Sequence, residues 1–294
     1  GGCIAGNLTG DGVDALNFNL GTNGFTHGAA FAISGMNSVT MNSGTAQIDS
    51  TIAGNTLTVN GGTMVLNGAN SYTGGTFLNG GVLSVSSDGN LGNAAGTLSF
   101  DGGTLRNTAD FASARAVDLG AGGGIFQADA NLALSSGITG TGGLTKTGAG
   151  TLTLSGANTY TGSTTISAGT LALSGAGSVA TSSQVIANGT FDISGVSAAG
   201  TSVQRLSGGG AVTLGGKALT LTAAARGEAA SDSIAVISQH FRQVRQRRQH
   251  TRPSESDAWH VNCTPLAHRA PVTSKCQNGR AGNGTLGRCV RIGS

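Results

Sequence analysis

The sequence predicts an all-β chain wound as a parallel β-solenoid, with an irregular tail behind it. Three observations carry this: a 25-residue segment occurs twice, its apolar residues alternate, and glycine-marked strand starts recur about every 20 residues. Residues 62–86 (GTMVLNGANSYTGGTFLNGGVLSVS) and 150–174 (GTLTLSGANTYTGSTTISAGTLALS) lie 88 positions apart and match at 13 of 25 positions without a gap. Met64 exchanges for Leu152, Leu78 for Ile166 and Val85 for Leu173, like for like. A unit this short cannot bury its apolar face alone, so it must stack on copies of itself.

The strands come first. Leu152 and Leu154 flank Thr153, Leu171 and Leu173 flank Ala172, and Met64 and Leu66 flank Val65 in the earlier copy. Period two is the mark of a strand with one buried face. The runs are four or five residues long and end in Gly, Asn or Ser, which are turn signals. Starts at Gly62, Gly81, Gly150, Gly169 and Gly189 step by 19, 19 and 20 residues within each local series, and further Gly-Thr-Leu starts stand at Gly96 and Gly103. That step suits a coil of three short strands rising one strand-width per turn, so residues 1–225 would make ~10 coils and a rod of ~50 Å.

The turns follow from composition. Residues 1–225 hold 46 of the 52 Gly and none of the three Pro. Gly reaches positive φ at sharp corners, Thr suits strands, and Asn67, Asn70 and Asn158 suit turns, with stacked Asn ladders as an expectation. A disordered Gly/Ser/Thr linker and a β-sandwich are the competing readings. The period-two spacing and the kept length of the second copy favour the solenoid.

Composition changes abruptly near residue 226. Residues 226–294 carry 11 Lys+Arg against four Asp+Glu, a net of +7, whereas residues 1–225 carry five against nine, a net of −4; together they give the +3 of the whole chain. The tail also holds all three Pro, Trp259, four of five His and three of four Cys. This mixture reads as the product of a shifted reading frame near Arg226; a capping domain and a disordered basic arm are the alternatives. Ile234, Ile237, Phe241 and Val244 with Arg242, Arg245, Arg247 and Arg248 outline a basic amphipathic helix for nucleic acid or an anionic membrane, against which stands a chance run. No nucleic acid is expected on the repeat body.

Catalytic and metal chemistry is not expected. Cys263, Cys276 and Cys289 form no C-x-x-C pair, and His260, Cys263, His268 and Cys276 fit zinc spacing poorly. Polysaccharide-cleaving β-helices need clustered carboxylates. The nearest set here, Asp101, Arg106, Asp110, Arg115, Asp118 and Asp129, is spaced so that coils of ~20 residues scatter it over different faces as surface charge. His27 stands alone, the glycine runs 122–124 and 208–210 lack a phosphate-loop context, and no cofactor is expected. No apolar run approaches the ~20 residues of a membrane helix. Gly1 in place of a starting methionine reads as a fragment or processed form, and Cys3 is a weak lipidation signal at best.

One stretch resembles a known family. Gly143-Leu144-Thr145-Lys146, then Gly148, Gly150-Thr151-Leu152, Leu154, Gly156, Asn158, Tyr160-Thr161-Gly162 and Gly169-Thr170-Leu171 look like the autotransporter-associated β-strand repeat, also called the passenger-associated transport repeat. The earlier copy keeps Leu66, Gly68, Asn70, Tyr72-Thr73-Gly74, Gly81 and Leu83 but lacks the Leu-Thr-Lys lead. The resemblance covers roughly residues 50–225 and gives these residues a structural role. It implies a right-handed parallel β-helix, carried through the outer membrane of a Gram-negative bacterium by a translocator β-barrel and shown at or released from the cell surface. It also implies that the repeats assist type V secretion, as a stalk, and that host-cell or matrix surfaces are partners if the rod is an adhesin. The barrel strands themselves are missing from this chain. An adhesin and a β-helix lyase or hydrolase are the alternative functions.

Overall fold

A computed structural model describes residues 2–223. The reading of residues 226–294, with its Cys–His spacing and basic helix, lies outside the described residues. Every strand pairing is parallel, and the strands stack as a solenoid of about 11 turns. From Thr45 onward, register partners on neighbouring coils lie 18 to 22 residues apart, the step that the glycine spacing predicts.

Each full coil has three faces. The first is built from Thr51–Val59, Thr76–Leu78, Leu98–Phe100, Val117–Leu119 and Ile138–Gly140. The second runs through Thr63–Leu66, Val82–Val85, Thr104–Asn107, Gly124–Ala128, Leu144–Thr147, Thr164–Ile166, Val185–Ala187 and Leu206–Ser207. The third comprises Phe111–Ser113, Leu132–Leu134, Thr151–Leu154, Thr170–Gly175, Thr190–Val196 and Ala211–Thr213.

Three short strands per coil holds for the coils that start at Leu98, Val117, Ile138, Val185 and Leu206; those that start at Thr51, Thr76 and Thr164 have two strands and a loop, and the first turns differ again. Leu8–His27 and Ala32–Ile48 each sweep across the first and second faces as one long strand. The corner is made there by irregularities in register, such as that between Phe18 and Asn19, and not by a break in the ladder. Bulges bend a strand without ending it.

Alternation sets the core. On the second face the inward column runs Ala46, Met64, Leu83, Leu105, Phe126, Lys146, Ile166 and Ala187, all buried. On the third face Leu132, Leu152, Leu171, Phe191 and Val212 stack likewise. Burying each Leu, Ile, Val, Met or Phe of these columns contributes about 1.5–3 kcal/mol. Aromatics add more than the thin interior suggests: Tyr72 and Tyr160 are both buried, and Phe100 meets Phe126 with ring centroids 4.8 Å apart.

Asparagine does ladder, but not where the turns of the repeat place it. Asn79 donates to Asn60 (3.0 Å), Asn60 to Asn42 (2.9 Å) and Asn42 to Asn19 (2.8 Å), along an exposed corner between the first and second faces. Asn67 instead donates to Asp49 at 2.6 Å, while Asn70 and Asn158 turn inward.

Candidate functional site

The two copies of the 25-residue segment form the candidate site, and they are built alike. Asn70 Oδ1 accepts the amide of Ile52 (2.7 Å) on the coil below, and its Nδ2 donates to the Asn90 carbonyl (2.6 Å) above. Asn158 does the same, accepting from Ile138 (2.9 Å) and donating to Ser178 (2.9 Å). A buried amide that satisfies one orphan group below and one above pins three successive coils.

Two residues later a tyrosine turns inward in each copy. The Tyr72 hydroxyl meets Thr76 Oγ1 at 2.8 Å and the Tyr160 hydroxyl meets Thr164 Oγ1 at 2.6 Å. Burial is the main cause that pushes both phenols well above their ordinary pKa. In the second copy the chain continues: Thr164 donates to Ser182 (2.9 Å), whose hydroxyl reaches the Gly162 carbonyl at 2.8 Å. Ser182 lies beyond the repeated segment, so the repeat itself does not reveal it.

The shared glycines mark backbone contacts. A Cβ on Gly68 would strike the Ser50 carbonyl oxygen, and one on Gly156 would strike the backbone of Ser136 and Gly137. Gly81 and Gly169 turn with φ of 61° and 64°, where a side chain is strained.

Lys146, the last residue of the Leu-Thr-Lys lead, points into the core between Phe126 and Ile166. Its Nζ donates to the carbonyls of Thr147 (2.7 Å), Gly148 (2.9 Å) and Ala168 (3.2 Å) at the corner between the second and third faces. Burial lowers its pKa to about 8, and the charge of Asp129 partly offsets this.

The copies are not in the same orientation. Four coils of register carry the second face from Thr63 through Val82, Thr104 and Ile125 to Thr145, which is 82 residues. The repeat recurs after 88, and the extra six residues turn the corner. The first copy therefore begins on the second face and the second copy on the third.

The shared residues also divide by burial. Leu66/Leu154, Asn70/Asn158, Tyr72/Tyr160, Thr76/Thr164 and Leu83/Leu171 are identical and buried in both copies. Outward strand positions mostly differ: Val65 stands against Thr153, Phe77 against Thr165 and Val82 against Thr170, and the buried Ser84 stands against Ala172. Thr63 and Thr151 are alike, as are the exposed Thr73 and Thr161.

The charged set read as scattered surface charge is scattered. Arg106 pairs with Asp129 at 2.6 Å, Asp110 accepts from Asn131, Asp101 accepts from the Gly122 amide, and Asp118 accepts from Thr139. Arg115 corrects that reading: it is only 3% exposed. It holds both Asp88 carboxylate oxygens (2.9 and 3.3 Å) and donates to the carbonyls of Gly92 (2.8 Å) and Asn93. It thereby closes the loop around the short 3₁₀ turn Asp88–Leu91.

His27 is likewise not alone. Its Nδ1 lies 2.6 Å from Ser50 Oγ and its Nε2 2.9 Å from the Gly6 carbonyl. A carbonyl only accepts, so Nε2 donates to Gly6, and Nδ1 shares a hydrogen bond with the Ser50 hydroxyl. Both residues are buried, so the pair ties three coils together and presents no nucleophile to solvent. No group of three His, Cys, Asp or Glu positioned for a metal is found among the described residues. Open grooves of about 420 Å³ (beside Thr201, Ser202 and Thr220) and about 300 Å³ (beside Cys3, Phe25 and Gln47) have no charged residue in their walls.

Comparison with known proteins bears on the same residues. The family profile described as Passenger-associated-transport-repeat matches residues 59–85 and 144–173, the two copies built above. The chain is 48% identical over 118 residues to the adhesin BmaC autotransporter of Brucella suis biovar 1 (strain 1330). The chain carries two copies of the repeat of autotransporter passengers. The aligned stretch is 40% of this chain and 3% of the Brucella protein, so the chain spans a small part of that relative's length. No solved structure matches the chain. The place of such a passenger is the surface of a Gram-negative bacterium, reached across the outer membrane. No helix among the described residues is long and apolar enough to cross a membrane.

Proposed function

We propose that this chain is a non-enzymatic stalk of an autotransporter passenger, whose two transport repeats drive coil-upon-coil folding outside the cell and so assist type V secretion. The supporting observation is the division of the repeat: its identical residues are largely core, clamp and corner residues, while most outward strand positions differ. A ligand-binding repeat would keep its outward residues and present them on one side. Here the two copies are turned by one face relative to each other, which suits a unit selected for stacking. Each clamp adds hydrogen bonds both to the coil already formed and to the one still to form, so folding extends rung by rung. The partner of this process is a translocator β-barrel.

Surface display tests the proposal. The chain is joined to a translocator barrel and its exposure on intact cells is measured by protease access. Asn158→Ala and Tyr160→Ala are expected to lower display, and the outward changes Thr153→Glu and Thr165→Glu to leave it unchanged. Equal display of all four would remove the folding role.

A second reading is adhesion along the rod, and the name of the Brucella relative favours it. Binding of the chain to host cells or matrix, lost on outward substitution with display intact, would replace the stalk by an adhesin.

A further inference from the structure

Asparagine is chemically labile where glycine follows it, because no Cβ shields the glycine nitrogen from the asparagine carboxamide. Among the described residues this pair occurs at Asn23, Asn60, Asn67, Asn79 and Asn188. All of these asparagines are exposed, so exposure does not separate them. The backbone does. The glycine amide is the nucleophile in this chemistry, and a hydrogen bond to a carbonyl holds it away from the side chain. Gly189 donates to Ile166 (2.8 Å), Gly80 to Val59 (3.1 Å) and Gly61 to Met41 (3.3 Å) on the coil below. Gly24 stands inside the ladder of the long strands, in register with Thr45. Gly68 differs. It follows the end of Thr63–Leu66, lies outside any strand, and its amide has no partner among the described residues.

We propose that Asn67 is a self-modification site, at which the folded chain converts its own asparagine to aspartate and isoaspartate. The Gly68 nitrogen bonds to Asn67 Cγ as the Cγ–Nδ2 bond breaks. The carboxamide leaves as ammonia and carries off the proton given up by the Gly68 nitrogen. Water then opens the cyclic imide at either of its carbonyls, which yields the two products.

Neither product fits this corner. Asn67 Nδ2 donates to Asp49 Oδ1 at 2.6 Å, so an aspartate at 67 sets a second carboxylate against the first, and like charges this close repel. Isoaspartate lengthens the backbone by a methylene just before Gly68, which is pressed so near Ser50 that a Cβ would strike its carbonyl oxygen. The disturbance reaches the first clamp, since the Gly68 carbonyl accepts from Asn90 (2.9 Å) and Asn70 grips Ile52 and Asn90 two residues on. The second copy is exempt. Ser155 stands at the position of Asn67, and its amide donates to Leu134 (3.0 Å) as that of Asn67 does to Ile48 (2.9 Å). A serine has no carboxamide to lose. The chain thus carries one repeat that ages chemically and one that does not.

Peptide mapping by mass spectrometry tests this on the full 294-residue chain, kept folded at mildly alkaline pH and sampled over time, with isoaspartate read by enzymatic methyl labelling. Asn278 and Asn283, outside the described residues, also precede glycine and are followed on their own peptides. Asn67 is expected to convert at least about fivefold faster than Asn60, Asn79 and Asn188, the factor that one hydrogen bond of about 1 kcal/mol supplies. In urea the four rates are expected to converge, because the bonds that hold the other amides are gone. Asn67→Ser is expected to leave its peptide unmodified. Asn67→Asp is expected to lower the urea midpoint, and adding Asp49→Asn to restore part of the loss. A folded-state rate at Asn67 no higher than at the three held pairs, a ranking that persists in urea, or an Asn67→Asp chain as stable as wild type would each overturn the proposal.

Discussion

Tyr160 and Thr164 meet hydroxyl to hydroxyl at 2.6 Å inside the coil, and Thr164 passes its own proton on to Ser182 at 2.9 Å. Since Thr164 donates to Ser182, Tyr160 must donate to Thr164, and the three hydroxyls form a directed relay that ends on a backbone carbonyl. Tyr160→Phe removes the first donor and keeps the ring, so it is expected to cost about 1 kcal/mol. Tyr160→Ala also empties a core site and is expected to cost about 3–5 kcal/mol. Urea melts of the two variants against wild type check both figures. Equal losses would mean that the ring contributes little and the hydroxyl nearly everything.

The Asn158 clamp predicts an effect that spreads unevenly. Asn158→Ala leaves the Ile138 amide and the Ser178 carbonyl buried without this partner, at about 1–3 kcal/mol each. A solenoid is held by nearest-neighbour contacts, so the loss should concentrate in the adjacent coils. Hydrogen exchange is expected to quicken around residues 138 and 178 and to remain unchanged around residue 64. Uniform quickening along the rod would show that the coils unfold as one unit.

Much of this was legible in the sequence, and what was not has physical reasons. Period-two alternation fixed the buried leucines, and the glycine step fixed the coil. The turn by one face was not legible, because 88 residues exceeds four coils by only six and the coil step varies from 18 to 22. The Asn19–Asn42–Asn60–Asn79 ladder was hidden for the same reason: its members are 23, 18 and 19 residues apart, so no fixed period picks them out. Residue type makes Arg115 a charge that belongs in water, and the repeat motif marks Lys146 as structural without showing that it is buried. Only the convergence of carbonyls around each, supplied by neighbouring coils, makes their burial tolerable.

Arg115 gives the largest single effect expected in the first half of the rod. Arg115→Met keeps the stem but leaves the half-buried Asp88 carboxylate and the carbonyls of Gly92 and Asn93 without their donor. Breaking one side of such a pair costs about 3–5 kcal/mol. Adding Asp88→Asn removes the orphaned charge and is expected to restore part of the loss. A double-mutant cycle in urea measures the coupling, and a coupling near zero would assign the whole effect to the carbonyl contacts.

Lys146 predicts a rise of stability with pH. Its folded-state pKa is about 8, lowered from the ordinary 10.5 by burial. Above the folded value the native chain has released this proton while the unfolded chain still holds it. Unfolding then takes up a proton, so raising the pH favours the folded state, by no more than about 1.4 kcal/mol per pH unit. Tyr72 and Tyr160 act in the opposite sense once unfolded phenols begin to ionise near their ordinary 10.0, because burial raises their folded values. The useful window therefore runs from about pH 8 to about pH 9.5. Lys146→Met lacks the titrating group and also withdraws the donor from the carbonyls of Thr147, Gly148 and Ala168, so it is expected to be less stable than wild type at pH 9.5. The measurement is the difference in urea midpoint between wild type and Lys146→Met across that window. A difference that widens with pH in favour of wild type supports a desolvated ammonium in the core. A flat difference would mean that the three carbonyls stabilise the charged form as well as water does.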